Sequence, residues 1–226
     1  MRISSVLCEK IEFPAIWNFP PQLFLGGGEQ SSGVPVPVLS GEQIREYVKL
    51  GKIVVVPFDE KLIGPSQIDL RLGSKFRVFK GGGLIDPFNP KSIKRNTKLL
   101  DTKGKPFVLQ PGQLVLGVTK ERTAVPNDLV ASIEGRSSIA RMGVFIHISS
   151  GHVNPGSGKK SPIPVTLEIL NMNPASIKLY PGMRICQLLF HTMDRAARKG
   201  YDEMKGKYSG KVDPSESMVF RDRHVP

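Results

Sequence analysis

From residue 53 to residue 190 the chain repeats one texture: short β-branched or aliphatic runs, each cut by Pro or Gly before it reaches helical length. The runs are Ile53 to Val56, Ile68 to Leu72, Phe107 to Leu109, Leu114 to Val118, Leu129 to Ile133, Val144 to Ile148, Val165 to Leu170, Ile177 to Leu179 and Ile185 to Phe190. Proline fixes φ and removes a backbone donor, while glycine admits positive φ, so each ends strand pairing and starts a turn. Nine predicted strands with few helices specify a mainly β fold, a sandwich, barrel or jelly roll around one core. A chain of 226 residues is long enough to bury that core and falls in the single-domain range.

Two local signals sharpen the picture. Ser40 followed by Gln43 forms a capping box, Ile44, Tyr47, Val48 and Leu50 make one apolar stripe, and Gly51 is a stop, so a short amphipathic helix precedes the strands. Phe107 to Leu116 and Ile177 to Cys186 echo each other, each with a Pro-Gly turn (Pro111-Gly112 and Pro181-Gly182) between strand patterns. Such turns suit type II geometry.

The ends read differently. Residues 1–38 contain Gly26-Gly27-Gly28, Ser31-Ser32-Gly33 and the alternating Val34-Pro35-Val36-Pro37-Val38, a linker composition. Phe13, Trp17, Phe19 and Phe24 nevertheless predict that this extension docks on the core or on a neighbouring subunit. The core is then 39–194. Beyond it the strand texture stops, and residues 195–211 carry six basic residues against two acidic; the segment 195–226 reads as a solvated basic end or as a lid that closes over a ligand. Lys91, Lys94, Arg95, Lys98, Lys103 and Lys105 predict a solvated loop.

A net charge of +12 and a pI near 9.8 imply an anionic partner: a nucleic acid, an acidic membrane surface or a phosphorylated small molecule. Nucleic acid is disfavoured because the basic residues are spread over several segments without interleaved aromatics. Cys8 and Cys186 form no Cys-x-x-Cys pair, which points to a reducing compartment. Glu9 and Glu12 interrupt the N-terminal apolar run, and no stretch approaches a membrane span, so a soluble cytoplasmic protein with no membrane partner is expected.

The densest donor chemistry lies in Gly135-Arg136-Ser137-Ser138-Ile139-Ala140-Arg141-Met142-Gly143. Flanking glycines permit one or two helical turns after a strand, with amides near Ser137 and Ser138 exposed to an anion. Arg136 and Arg141 stand about 140° apart on a helix, so they cannot share a face. The alternative is a serine cap with two solvated arginines. Downstream, Pro164 to Asn171 places Val165, Leu167 and Ile169 on one strand face and Thr166, Glu168 and Leu170 on the other. A carboxylate in so apolar a strand is either ion-paired, for instance to an arginine, or functional.

These motifs, with His152-Val153-Asn154-Pro155-Gly156, Tyr180-Pro181-Gly182-Met183, Gln187-Leu188-Leu189-Phe190 and the upstream Ile63 to Gly73, closely resemble the dCTP deaminases of the dUTPase-like superfamily. The likeness runs from about residue 39 to about residue 211. It implies a distorted jelly-roll or β-clip fold with a few short helices, assembled as a homotrimer with active sites between subunits. By the same carry-over Arg136, Ser137, Ser138, Ile139, Ala140 and Arg141 line the triphosphate and reaction centre, with Ser150 and Asn154 nearby. Thr166, Leu167 and Glu168 adjoin the base, and Tyr201, Lys207 and Lys211 belong to a tail that closes the site. Mg²⁺ would ride on the phosphates with no protein ligands. The zinc deaminase signature, His-x-Glu with Pro-Cys-x-x-Cys, is absent from the sequence. The resemblance therefore implies a metal-free deamination in which Glu168 takes a proton from water held by Ser137 and carbonyls of Ile148 to Ser150, and Arg141 steadies the glutamate or the developing charge.

Three departures from the family pattern stand out. Asn154 replaces the usual Asp of an Asp-Pro-Gly turn, and an amide is a poor base, which argues for dUTP rather than dUMP as end product. The loop 156–164 is longer and brings Lys159 and Lys160 near the site. Lys211 replaces a usual Gln. The expected function is deamination of dCTP to dUTP and ammonia in pyrimidine nucleotide supply. The alternatives are a bifunctional deaminase and diphosphatase yielding dUMP and pyrophosphate, and a nucleotide-sensing or nucleic-acid-binding protein on the same fold. Inhibition by dTTP is left open. His147 and Cys186 read as core; His152 lines the turn or touches the sugar; His191 and His224 lack metal-ligand spacing.

Overall fold

The computed structural model describes residues 38–222. The aromatics expected to dock from the N-terminal extension, and His224, lie outside the described residues. The helix α1 (Gly41–Lys49) forms as its capping box predicts: the Ser40 hydroxyl accepts from the Gln43 N–H and the Gln43 side chain accepts from the Ser40 N–H. Its Ile44 is fully buried.

Eleven strands follow: β1 (Val54–Val56), β2 (Ile68–Phe79), β3 (Thr97–Asp101), β4 (Phe107–Leu109), β5 (Leu114–Ala124), β6 (Leu129–Gly135), β7 (Val144–Phe145), β8 (His152–Val153), β9 (Ile163–Asn171), β10 (Ile177–Leu179) and β11 (Arg184–Thr192). Two further helices are α2 (Pro90–Arg95) and α3 (Ser137–Ala140). Nine strands make one antiparallel sheet with the path β7-β9-β5-β2-β11-β6-β8, with β1 added beside β5 and β3 beside β2. Residues at alternate positions on the strands of both halves (Ile68, Leu70 and Leu72; Leu167 and Ile169; Ala131 and Ile133; Leu188 and Phe190) join one buried cluster, so the sheet curls around a single core. Each of the Leu, Ile and Phe side chains among them contributes about 1.5–3 kcal/mol by leaving water. Cys186 belongs to this core, where burial pushes its thiol pKa up.

The two echoed segments find each other. β4 and β10 pair as a separate two-stranded sheet, and the turn after each one has its glycine at positive φ, +68° at Gly112 and +89° at Gly182, as the type II expectation requires.

Three expectations need correction. The lysine-rich stretch read as loop holds α2, capped by the Asn89 side chain, and β3, which extends the sheet beside the outer half of β2. Its charge hid a strand whose residues, apart from Thr97, are solvent-facing. The run Val144 to Ile148 pairs only over Val144 and Phe145 before leaving the sheet, so His147 sits half-buried outside any strand rather than in the core. β8, two residues long, carried no periodic signal. No helix among the described residues is long and apolar enough to cross a membrane.

Candidate functional site

β9 alternates as its sequence predicts, with Val165, Leu167 and Ile169 inward. Glu168 therefore faces the other way, half-buried, across from Leu116 of β5. Among the described residues no arginine pairs with it. After β7 the chain stays beside β9 for one more hydrogen bond, Glu168 N–H to the Ile146 carbonyl at 2.9 Å, and then turns so that two successive amides point at the side chain. Ile148 N–H and Ser149 N–H donate to Glu168 Oε2 at 2.8 and 3.0 Å. Two backbone dipoles thus hold one carboxylate oxygen, and among the described residues the other has no hydrogen-bond partner. The segment whose carbonyls were expected to hold water uses its amides to orient the acid.

Glu168 opens onto a cavity of roughly 830 Å³. Ser149, Ser150, His152, Asn154 and Thr166 line it with Glu168. Residues after 194 also line it, among them Tyr201, Tyr208, Lys211, Ser215, Glu216 and Ser217. This segment is tied down at its root. Tyr201 N–H donates to the Pro155 carbonyl at 2.7 Å. The buried Asp202 accepts from Lys160 N–H at 3.1 Å and from the Ser209 hydroxyl at 2.7 Å. Glu203 accepts from Gly200 N–H at 2.7 Å, and that bond, with the Asn127 amide and Lys159 at 3.3 Å, holds its carboxyl below the usual range. Lys159 and Lys160 of the long loop therefore grip the tail; neither lines the cavity. Farther on, Lys75 meets Asp213 at 2.5 Å, and Arg77 donates to the Pro214 carbonyl at 2.6 Å and pairs with Glu216 at 3.0 Å. Arg77, Tyr208 and Glu216 were not singled out from the sequence; β2 carries Asp69, Arg71 and Lys75 as well, so no local signal set Arg77 apart. Lys207 pairs with Asp222 and stays outside the cavity.

The Arg-Ser-Ser segment lies elsewhere. Arg136 is the N-cap residue of α3 and no side chain caps that helix, so the serine-cap alternative does not hold. Ile139 pins the turn into the core, while Ser137, Ser138, Ala140 and Arg141 are exposed. Among the described residues the side chains of Ser137, Ser138 and Arg141 make no hydrogen bond. Arg136 Nε lies 3.3 Å from Asp69 Oδ2. None of residues 136–141 lines the cavity that holds Glu168. Leu167 also departs from the expectation, since its side chain is fully buried on the core face of β9.

A family profile described as dCTP deaminase-like matches residues 38–193. A protein of Dictyoglomus thermophilum named "dCTP deaminase, dUMP-forming" is 40% identical over 80% of this chain and 94% of its own length. A protein of Methanosphaera stadtmanae with the same name is 37% identical over 82% and 95%. The crystal structure of a deoxycytidine triphosphate deaminase from Agrobacterium tumefaciens superposes with a TM-score of 0.55 at 23% identity, over 70% of this chain and 47% of that one, and shows likeness of fold. The chain spans about half the length of that solved chain. With the profile covering residues 38–193 and both relatives matched almost end to end, the chain belongs to the dCTP deaminase-like family.

Proposed function

We propose that this chain deaminates dCTP and carries the product on to dUMP. The observation that carries the first step is the Glu168 carboxylate, fixed by two backbone amides at the wall of a nucleotide-sized cavity with one oxygen free to exchange protons. A water beside that oxygen gives its proton to Glu168 while its oxygen adds to C4 of the cytosine ring, and Glu168 passes the proton to ring N3. Glu168 then moves the proton of the new C4 hydroxyl to the amino group. The C4–N bond breaks with its electrons on nitrogen, ammonia leaves and the C4 carbonyl forms. One water is consumed, and Glu168 ends as it began.

The second step is favoured by the name dUMP-forming carried by the matched relatives, against the dUTP end point that Asn154 suggested. Asn154 lines the same cavity. Its amide can orient a water on the α-phosphate; that water's oxygen adds to phosphorus, its proton passes to a phosphate oxygen of the nucleotide, and the α–β phosphoanhydride bond breaks to release pyrophosphate.

The site as described in one chain is half of this machinery. The hydroxyls of Ser137 and Ser138 and the guanidinium of Arg141 stand exposed outside the chain's own cavity. We assign them to the cavity of a neighbouring subunit in a homotrimer, where Arg136 and Arg141 meet the phosphates and Ser137 the reacting water. Mg²⁺ favours phosphate and water oxygens, so it would arrive on the nucleotide's phosphates. When bound it would offset phosphate charge.

The test follows ammonia and pyrophosphate together from dCTP. Equal amounts of both support the reading; ammonia alone makes dUTP the end product. Near-normal ammonia release by Glu168→Gln sinks the mechanism.

A further inference from the structure

Asp69 is the polar exception on the inner half of β2. Ile68, Leu70 and Leu72 face the core, fully buried. Asp69 points to the other face, where period-2 geometry would leave a carboxylate in water, yet it is only 8% exposed. Two arginines cover it: Arg136 Nε at 3.3 Å and Arg184 Nη1 at 3.4 Å, both on Oδ2. Arg184 reaches that face because β11 carries a bulge between Arg184 and Cys186; in unbroken alternation it would share the core face of Cys186 and Leu188. The bulge and the paired strands β2, β11 and β6 thus bring residues 69, 184 and 136 to one point.

The contact with Arg136 is through Nε alone. Among the described residues its two terminal NH₂ groups, four N–H donors, make no hydrogen bond, and they stand at the head of α3, where Ser137 and Ser138 are exposed. Arg136 and Arg184 set two guanidiniums against one carboxylate, a surplus that attracts an anion.

We infer that Asp69 is a positioning residue for phosphate binding: it holds the Arg136 guanidinium in the orientation that meets the nucleotide's phosphates. The inference rests on the placement of Arg136 at the phosphates proposed above. Without Asp69 the long Arg136 side chain regains its rotamers, and the anion must order it on binding.

The test is calorimetric binding of inorganic tripolyphosphate and of deoxycytidine to the full chain, with dCTP kinetics beside it. Asp69→Asn should weaken tripolyphosphate about tenfold, leave deoxycytidine unchanged, and raise KM for dCTP with kcat within about twofold. Added to Arg136→Gln, it should have no further effect on tripolyphosphate. Unchanged tripolyphosphate binding, an equal loss for both ligands, or no tripolyphosphate binding by the wild type overturns the inference. Should Asp69→Asn fail to fold, Asp69→Glu keeps the charge but displaces it by a methylene, and the same split is expected. Failure of both to fold makes Asp69 a structural group and also overturns it. A wild type that binds tripolyphosphate in this Asp69-dependent way but never turns over dCTP sinks the proposed function and leaves this inference standing.

Discussion

Glu168 and α3 are built on opposite plans. Glu168 stands on β9, between β7 and β5, with its core-side neighbours fully buried, and two amides fix its carboxylate before any ligand arrives. α3 is a single turn pinned by Ile139, with Ser137, Ser138 and Arg141 exposed and only Arg136 held, through Asp69. Proton transfer needs its acceptor placed within hydrogen-bond reach in advance. Phosphate binding tolerates side chains that settle on the anion, because charge acts over longer range. On the proposed function, the contrast separates a preorganised chemical wall from an adaptable anion wall.

The largest expected effect breaks the rigid half. Glu168→Gln should lower ammonia release by about 10²–10⁴-fold with dCTP affinity nearly unchanged; parallel losses in both would make the carboxylate a binding group. Next comes the open half. Ser137→Ala should cost about 10²-fold in turnover, and co-assembly of Glu168→Gln chains with Ser137→Ala chains should return roughly a quarter of the wild-type sites if each site draws on two subunits. Mixed assemblies that stay inactive would place both residues within one subunit's site.

A smaller effect concerns the tail that walls the cavity. Arg77→Gln leaves Glu216 half-buried without its partner, at a cost of about 1–3 kcal/mol. Trypsin should then release the tail several-fold faster while the sheet melts at an unchanged temperature. The smallest is a pH effect at the tail root. Glu203 is held below its ordinary pKa by the Gly200 N–H first and then by Asn127 and Lys159, so its contribution is present above the unfolded value and is lost as pH falls through the folded one. Acid should loosen the tail below the usual carboxylate range, and Glu203→Gln should remove that part of the pH dependence in a proteolysis series.

Much of the fold was legible because burial imposes a period. The runs at 53–56, 114–118, 129–133 and 165–170 all fall within or overlap strands, and the outward face of Glu168 followed from alternation alone. The helix after Ser40 followed from its cap. β3 and α2 escaped because their lysines mimic a solvated loop. The partners of Glu168 escaped for another reason: they are backbone amides, which every residue carries, and only the path of the chain after Phe145 aims those of Ile148 and Ser149. Arg184 escaped because a bulge inverts the face its position in the strand suggests.

The sequence by itself determined the strand-rich architecture, the turn glycines and the identity of the chemical groups, since those depend on local dihedral preference and on hydrophobic period. Tertiary structure alone decided that Glu168 is met by amides rather than an arginine, that Lys159 reaches the tail rather than the cavity, and that Asp69 and Arg136 meet. These are contacts between distant strands and loops, set by register, bulges and loop path, to which no local propensity extends.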